Sequence, residues 1–160
     1  MDQMPFLAII LQSIPESIIL LCLGLASMGK TLNFKMILPV AVLSSVLSWF
    51  VRMLPLPYGV HTFIGVFVVA GLFVAFLKLS LLKSLVASLF AFSCLVGAEA
   101  VLLPFLTKAI GIASFKYSWS NSLLRIALPL PILFLLGTIV YFMVRFKISF
   151  ESLAQKTEKH

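Results

Sequence analysis

An acid inside an apolar run is the first place in this sequence where chemistry could happen. Glu16 stands in QSIPESIILLCLGLA, residues 12–26, directly behind Pro15 and midway along a run apolar enough to cross a bilayer. Pro15 cannot donate to the carbonyl of Leu11 and its ring crowds that carbonyl, so a helix here is expected to bend or loosen. Gln12 precedes Glu16 by one turn on the same helical face, with Ser13 and Ser17 beside them. An ionised carboxylate in hydrocarbon costs several kcal/mol. Glu16 is therefore expected either to turn into the bundle interior or to carry a proton. Two roles suit it: a ligand or proton site, or a hydrogen bond that clips two helices together.

Glu99, in SCLVGAEAVLLPF, is the second acid within an apolar run. A buried charge needs a counter-charge or hydrogen bonds, and the expected partners are Arg52, after the second run, and His61, at the start of the third. Ala41, Ser45 and Ser48 lie on the stripe that leads to Arg52. Together these residues predict a polar pocket at one membrane face. Ala87, Ala91, Cys94 and Ala98 form a small-residue stripe at helical spacing, which reads as a packing face that lets another helix approach closely.

Catalysis is not expected. No feature orients His61 on Cys94, and the sequence has neither an HExxH nor a Cys/His ligand spacing. Neither metal nor cofactor is predicted. Cys22 and Cys94 both fall inside apolar runs and read as small buried hydrophobes.

The elements that must hold these residues follow from composition. Of 160 residues, 62% are hydrophobic and 11% charged, and the mean hydropathy is +1.18. Soluble domains carry roughly a quarter charged residues; a surface this poor in charge must face lipid. A spanning helix takes about 20 residues, so the chain holds five helices, with six as the upper count. The apolar stretches lack the alternation of barrel strands. The fold class is therefore all-α, a polytopic membrane bundle, with spans near 6–28, 34–54, 59–78, 83–106 and 129–146. Residues 1–148 form one transmembrane domain and 149–160 a short polar tail. The opening MDQMP has no Lys or Arg, unlike the positive start of a cleaved signal peptide, so the first run is expected to stay.

The net charge is +7. The cations stand singly at the ends of apolar runs, where they snorkel to headgroups; the partner they imply is the bilayer and not nucleic acid. Lys30, Lys35, Lys78, Lys83, Arg145, Lys147, Lys156 and Lys159 fall on one side of the predicted bundle. Arg52, Lys108, Lys116 and Arg125 fall on the other. The excess of cations on the first side places that side in the cytoplasm and the N-terminus outside. KLSLLK, 78–83, predicts a tight turn between antiparallel helices. The stretch 107–125, with Phe115, Tyr117 and Trp119, predicts an interfacial anchor, or a lid over an outer cavity.

Three stretches taken together, QSIPES (12–17), RMLPLPYGVHT (52–62) and GAEAVLLP (97–104), resemble a group of small multi-pass membrane proteins and membrane-embedded sensor halves of spore-forming Gram-positive bacteria. The resemblance implies a plasma-membrane protein acting near signalling kinases, and assigns no chemistry to Glu16, Arg52, His61 or Glu99. No kinase region follows before His160, so signalling is expected to need a protein partner. The expected function is a regulatory or ligand-sensing membrane module. The alternative is a solute-binding or proton-coupled transport component, which would use its acids along a path between proline-interrupted helices.

Overall fold

The computed structural model describes residues 12–54, 60–109 and 129–149, apart from the side chains of residues 52, 53 and 109. Within them the chain forms five helices and no strand: α1 (Ile14–Ser27), α2 (Phe34–Met53), α3 (Val60–Leu77), α4 (Leu81–Ala109) and α5 (Pro129–Arg145). Each lies on one of the five apolar stretches. Three of them, α2, α3 and α4, are long and apolar enough to cross a membrane; α1 and α5 are shorter apolar helices. At 1.5 Å per residue, α4 is about 43 Å long, more than the ~30 Å hydrocarbon core, so it must tilt or project if it spans.

Local sequence explains the ends. Pro15 sits in the first turn of α1, where its missing N–H would have no partner. The two residues before α1, Gln12 and Ser13, are in a wider π turn. The irregularity predicted at the proline thus falls on its N-terminal side. α1 stops at Gly29, whose φ of 67° is cheap only without a Cβ. There the N–H of Lys30 bonds to Leu25 O and that of Gly29 to Ala26 O, both at 3.0 Å, a Schellman closure. Asn33 starts α2 by accepting the Lys35 N–H on its side chain at 3.2 Å. The α3–α4 turn is tighter than KLSLLK suggests: α4 already begins at Leu81, leaving only Lys78–Ser80 between the helices.

The helices are not equivalent. On α2 burial follows one stripe, Ile37, Val40, Ala41, Ser44 and Ser45, and on α4 another, Ser84, Ala87, Ser88, Ala91 and Leu95. On α1 every residue from Leu20 to Met28 is buried, as a helix enclosed on all sides must be. α1 packs against α2, α4 and α5, while α3 packs against α2 and α4, and α4 against α5. The outer faces carry bare hydrophobic side chains such as Phe134, Leu82 and Val101, which in water would form large apolar patches and in lipid need no cover.

Contacts also fix which termini share an end of the bundle. Gly29, after α1, lies against Ser149, after α5. Phe76, at the end of α3, shares a groove with Met36 and Pro39, at the start of α2. Lys30, Lys35, Lys78, Lys83, Arg145 and Lys147 therefore gather at one end.

α1 approaches its neighbours at Gly24. A Cβ built there would lie 2.5 Å from Cζ of Phe73 on α3 and 3.4 Å from the Ala87 carbonyl on α4. Phe73 is itself fully buried and cannot swing aside without displacing other core side chains. Gly24→Ala should therefore destabilise the bundle by ~1–3 kcal/mol, the usual range for overpacking, read as a lowered midpoint of thermal unfolding in detergent. Gly137→Ala is the control, because a Cβ there meets nothing within 4 Å.

Candidate functional site

Next to Glu16 in the chain, Ser13 and Ser17 meet a serine of the next helix. Ser45 is the twelfth of twenty residues in α2, hence near mid-depth of a spanning helix. Its Oγ lies 2.9 Å from Ser13 O, 2.8 Å from Ala41 O and 3.0 Å from Ser17 Oγ. A hydroxyl has one proton and two lone pairs. Ser45 can thus donate to Ser13 O, across the α1–α2 interface, or to Ala41 O in its own helix, while accepting from Ser17. Ser13, Ser17, Ser44 and Ser45 are all buried.

Gln12, two residues before α1 and five before Ser17, is 8% exposed. Its Oε1 is buried and has no hydrogen-bond partner among the described residues. Such an atom costs roughly 1–3 kcal/mol of desolvation. Glu16 is half-buried on the neighbouring helical position, between the interior and the lipid face.

The residues of the second expected constellation fall on α2, α3 and α4. Ala41 and Ser45 are fully buried against α1 and Ser48 only half-buried, so this stripe is a helix seam over most of its length. His61, half-buried at the start of α3, places Nδ1 3.1 Å from Val51 O in the last turn of α2. Since the carbonyl accepts, Nδ1 carries the proton in this bond. His61 thereby ties the end of α2 to the start of α3, as a cap on a helix C-terminus. Glu99 is half-buried on α4; the Arg52 side chain lies outside the described ones. Ala87 and Ala91 are fully buried, whereas Cys94 and Ala98 are half-buried, so the small-residue stripe packs along its first half. Cys22 and Cys94 are free thiols. Among the described residues no three metal-ligating side chains come together. The loop over 110–128, with its interfacial aromatics, lies outside the described residues.

Among the described residues, two grooves open on the apolar outer surface of the bundle. One, of about 550 Å³, runs between α1 and α5 past Pro15, Ile19, Phe134, Thr138 and Tyr141. The other, of about 350 Å³, runs between α2 and α3 and ends at Lys35. Neither is lined by Glu99 or His61; the outer pocket expected around Arg52 borders residues outside the described ones.

Ser45 was legible as a polar residue but not as the partner of Ser17. One signal could have found it. Ser17 and Ser45 are equidistant in sequence from Thr31, in the short connection between α1 and α2, so an antiparallel hairpin pairs them. Comparison with protein-family models, curated proteins and solved structures returns no match.

The hydroxyl pairing has a measurable strength. In a double-mutant cycle of Ser17→Ala and Ser45→Ala, unfolding in bicelles or detergent should give a coupling of about 0.6 kcal/mol and no more than ~1.7 kcal/mol. A coupling of zero would mean that the two hydroxyls satisfy themselves on their own helices.

Proposed function

We propose that the chain is a five-span membrane module with its N-terminus outside, which binds a ligand or a membrane partner at the upper part of α1 and transmits a helix shift to a partner protein. The observation that carries this reading is the buried Oε1 of Gln12, without a partner among the described residues, beside the Ser13–Ser17–Ser45 cluster. A bare acceptor at a helix irregularity is a place where a donor from outside α1 gains a full hydrogen bond in low dielectric. The cluster beside it supplies two arrangements. With Ser45 donating to Ser13 O, two bonds join α2 to the α1 segment; with Ser45 donating to Ala41 O, only the Ser17–Ser45 bond remains. Because α1 touches three neighbours, a small displacement of it is felt across the bundle. Five spans require α1 to gain length from residues before Gln12, since its fourteen helical residues cover about 21 Å.

A transport role is favoured by a different observation: Glu16 and Glu99 are both half-buried, at separate depths. Protons could use such acids as stations. Flux of protons into liposomes holding the purified protein separates the two. The sensing role expects no flux above that of protein-free liposomes. Flux that is lost in Glu16→Gln would establish transport instead.

Replacing Gln12 by Leu tests the main reading directly. If Oε1 is kept bare for a ligand, the substitution removes an unsatisfied polar atom, and the melting temperature should hold or rise by the equivalent of ~1–3 kcal/mol. A drop of the size seen for lost core packing would mean that Gln12 is a structural bonding partner, and the ligand site would be wrong. Cysteine labelling in intact cells, on a background lacking Cys22 and Cys94, checks orientation: a cysteine beside Lys30 should be shielded from an impermeant reagent.

A further inference from the structure

The groove between α2 and α3 has a distinct chemistry. Its walls are Met36, Pro39, Val40, Leu43 and Phe76, and its end is Lys35. Met36, Leu43 and Phe76 are exposed, so in a bilayer the groove faces acyl chains. Pro39 helps to create it. Proline replaces a longer side chain six residues into α2 and cannot donate to the carbonyl of Lys35 one turn earlier. The groove therefore runs from an apolar trough to a cation beside a carbonyl that lacks its usual helical partner. No acid stands in the first turn of α2. The two acids among the described residues are elsewhere: Glu16 is at mid-depth, and Glu99 is far along α4 from the end shared by Lys35. Lys30 and Lys78 flank the same end of the bundle and are exposed.

We propose that this groove is a binding site for one anionic phospholipid, with an acyl chain along Met36, Pro39, Leu43 and Phe76 and the headgroup phosphate on Lys35. Charge complementarity selects the headgroup and the apolar trough selects a lipid over a free anion. The proposal does not depend on whether the module senses or transports. A basic end alone would attract anionic lipids diffusely, at about a fivefold preference per cation. The groove converts that attraction into a defined stoichiometry.

Native mass spectrometry of the full-length protein, released from micelles doped with equal amounts of phosphatidylglycerol and phosphatidylcholine of one chain length, reads the site. One phosphatidylglycerol should be retained in clear preference to phosphatidylcholine. Lys35→Gln should lower that retention about fivefold, and Leu43→Trp, which fills the trough, should lower it at least as much with Lys35 intact. Lys108→Gln, at the other end of α4, should leave it unchanged. Met36→Trp repeats the trough test if Leu43→Trp fails to fold. Equal retention of the two lipids, or loss in Lys35→Gln with no effect of either trough variant, would overturn the proposal in favour of diffuse surface attraction. Displacement of the lipid by millimolar inorganic phosphate would overturn it in favour of a phosphate site.

Discussion

From Leu20 to Ser27 helix α1 is buried on every side, and a stretch so enclosed must settle each of its polar groups within the protein. Its position constrains the rest. Wherever α1 is approached closely the partner residue is small or the α1 residue is: Gly24 against Phe73 and the Ala87 carbonyl, Ser17 against Ser45. The interior polar groups among the described residues are almost all serines, with Gln12 the largest. Serine is the polar residue best suited to such a place, because its hydroxyl can fall back on a carbonyl of its own helix. Ser27 bonds Gly24 O at 2.7 Å and Ser88 bonds Leu85 O at 3.1 Å. These bonds cost the bundle little and oblige no partner helix.

Ser45, Gln12 and Ser84 depart from that pattern, and the buried Ser84 Oγ, like Gln12 Oε1, has no partner among the described residues. Ser45 has both an own-helix acceptor and acceptors on α1, within 0.2 Å of one another in distance. Its one proton can go to either the Ser13 or the Ala41 carbonyl, and the Ser17–Ser45 bond remains in both cases. Gln12 has the opposite character. A side-chain amide brings two donors and a carbonyl and has no one-residue fallback that satisfies all of them. Two alternative acceptors for one hydroxyl proton, beside a buried acceptor without a partner among the described residues, form an arrangement in which a weak outside interaction can decide the geometry.

Much of the framework was legible. Five apolar stretches, the glycine and lysine after Met28, and the prolines before the fifth stretch located the helices, since length, hydrophobicity and breakers act locally. Which helix occupies the centre was not legible. All five stretches are apolar around most of their circumference because lipid and protein interior are equally tolerant of Leu, Ile and Phe, so periodicity carries little information. The site suffered from the same cause. Glu16 and Glu99 stand out in the sequence as acids and are half-buried, whereas the bonds joining Ser13, Ser17 and Ser45 come from residue types that draw little notice in a sequence. His61 was legible as an end-of-helix residue. Its bond to Val51 O depends on how α3 returns beside α2, which only the tertiary arrangement decides.

The basic end shows how membrane constraints outweigh backbone preference. Lys78 and Lys147 both adopt φ of 53°, a left-handed conformation that glycine would take more cheaply by about 1 kcal/mol. Each ends a helix: Leu79 N–H reaches back to Phe73 O after Lys78, and Ile148 N–H bonds Met143 O after Lys147. A cation at a helix C-terminus recovers ~0.3–1 kcal/mol from the dipole, and one near an anionic membrane surface recovers about 1 kcal/mol more. The sum matches or exceeds the backbone strain, so lysine is tolerable at a position where glycine is the common choice. In neutral detergent the second contribution vanishes and the balance tips the other way. On the proposal that Lys35 holds a lipid headgroup, the same anionic surface serves that groove and the two left-handed lysines.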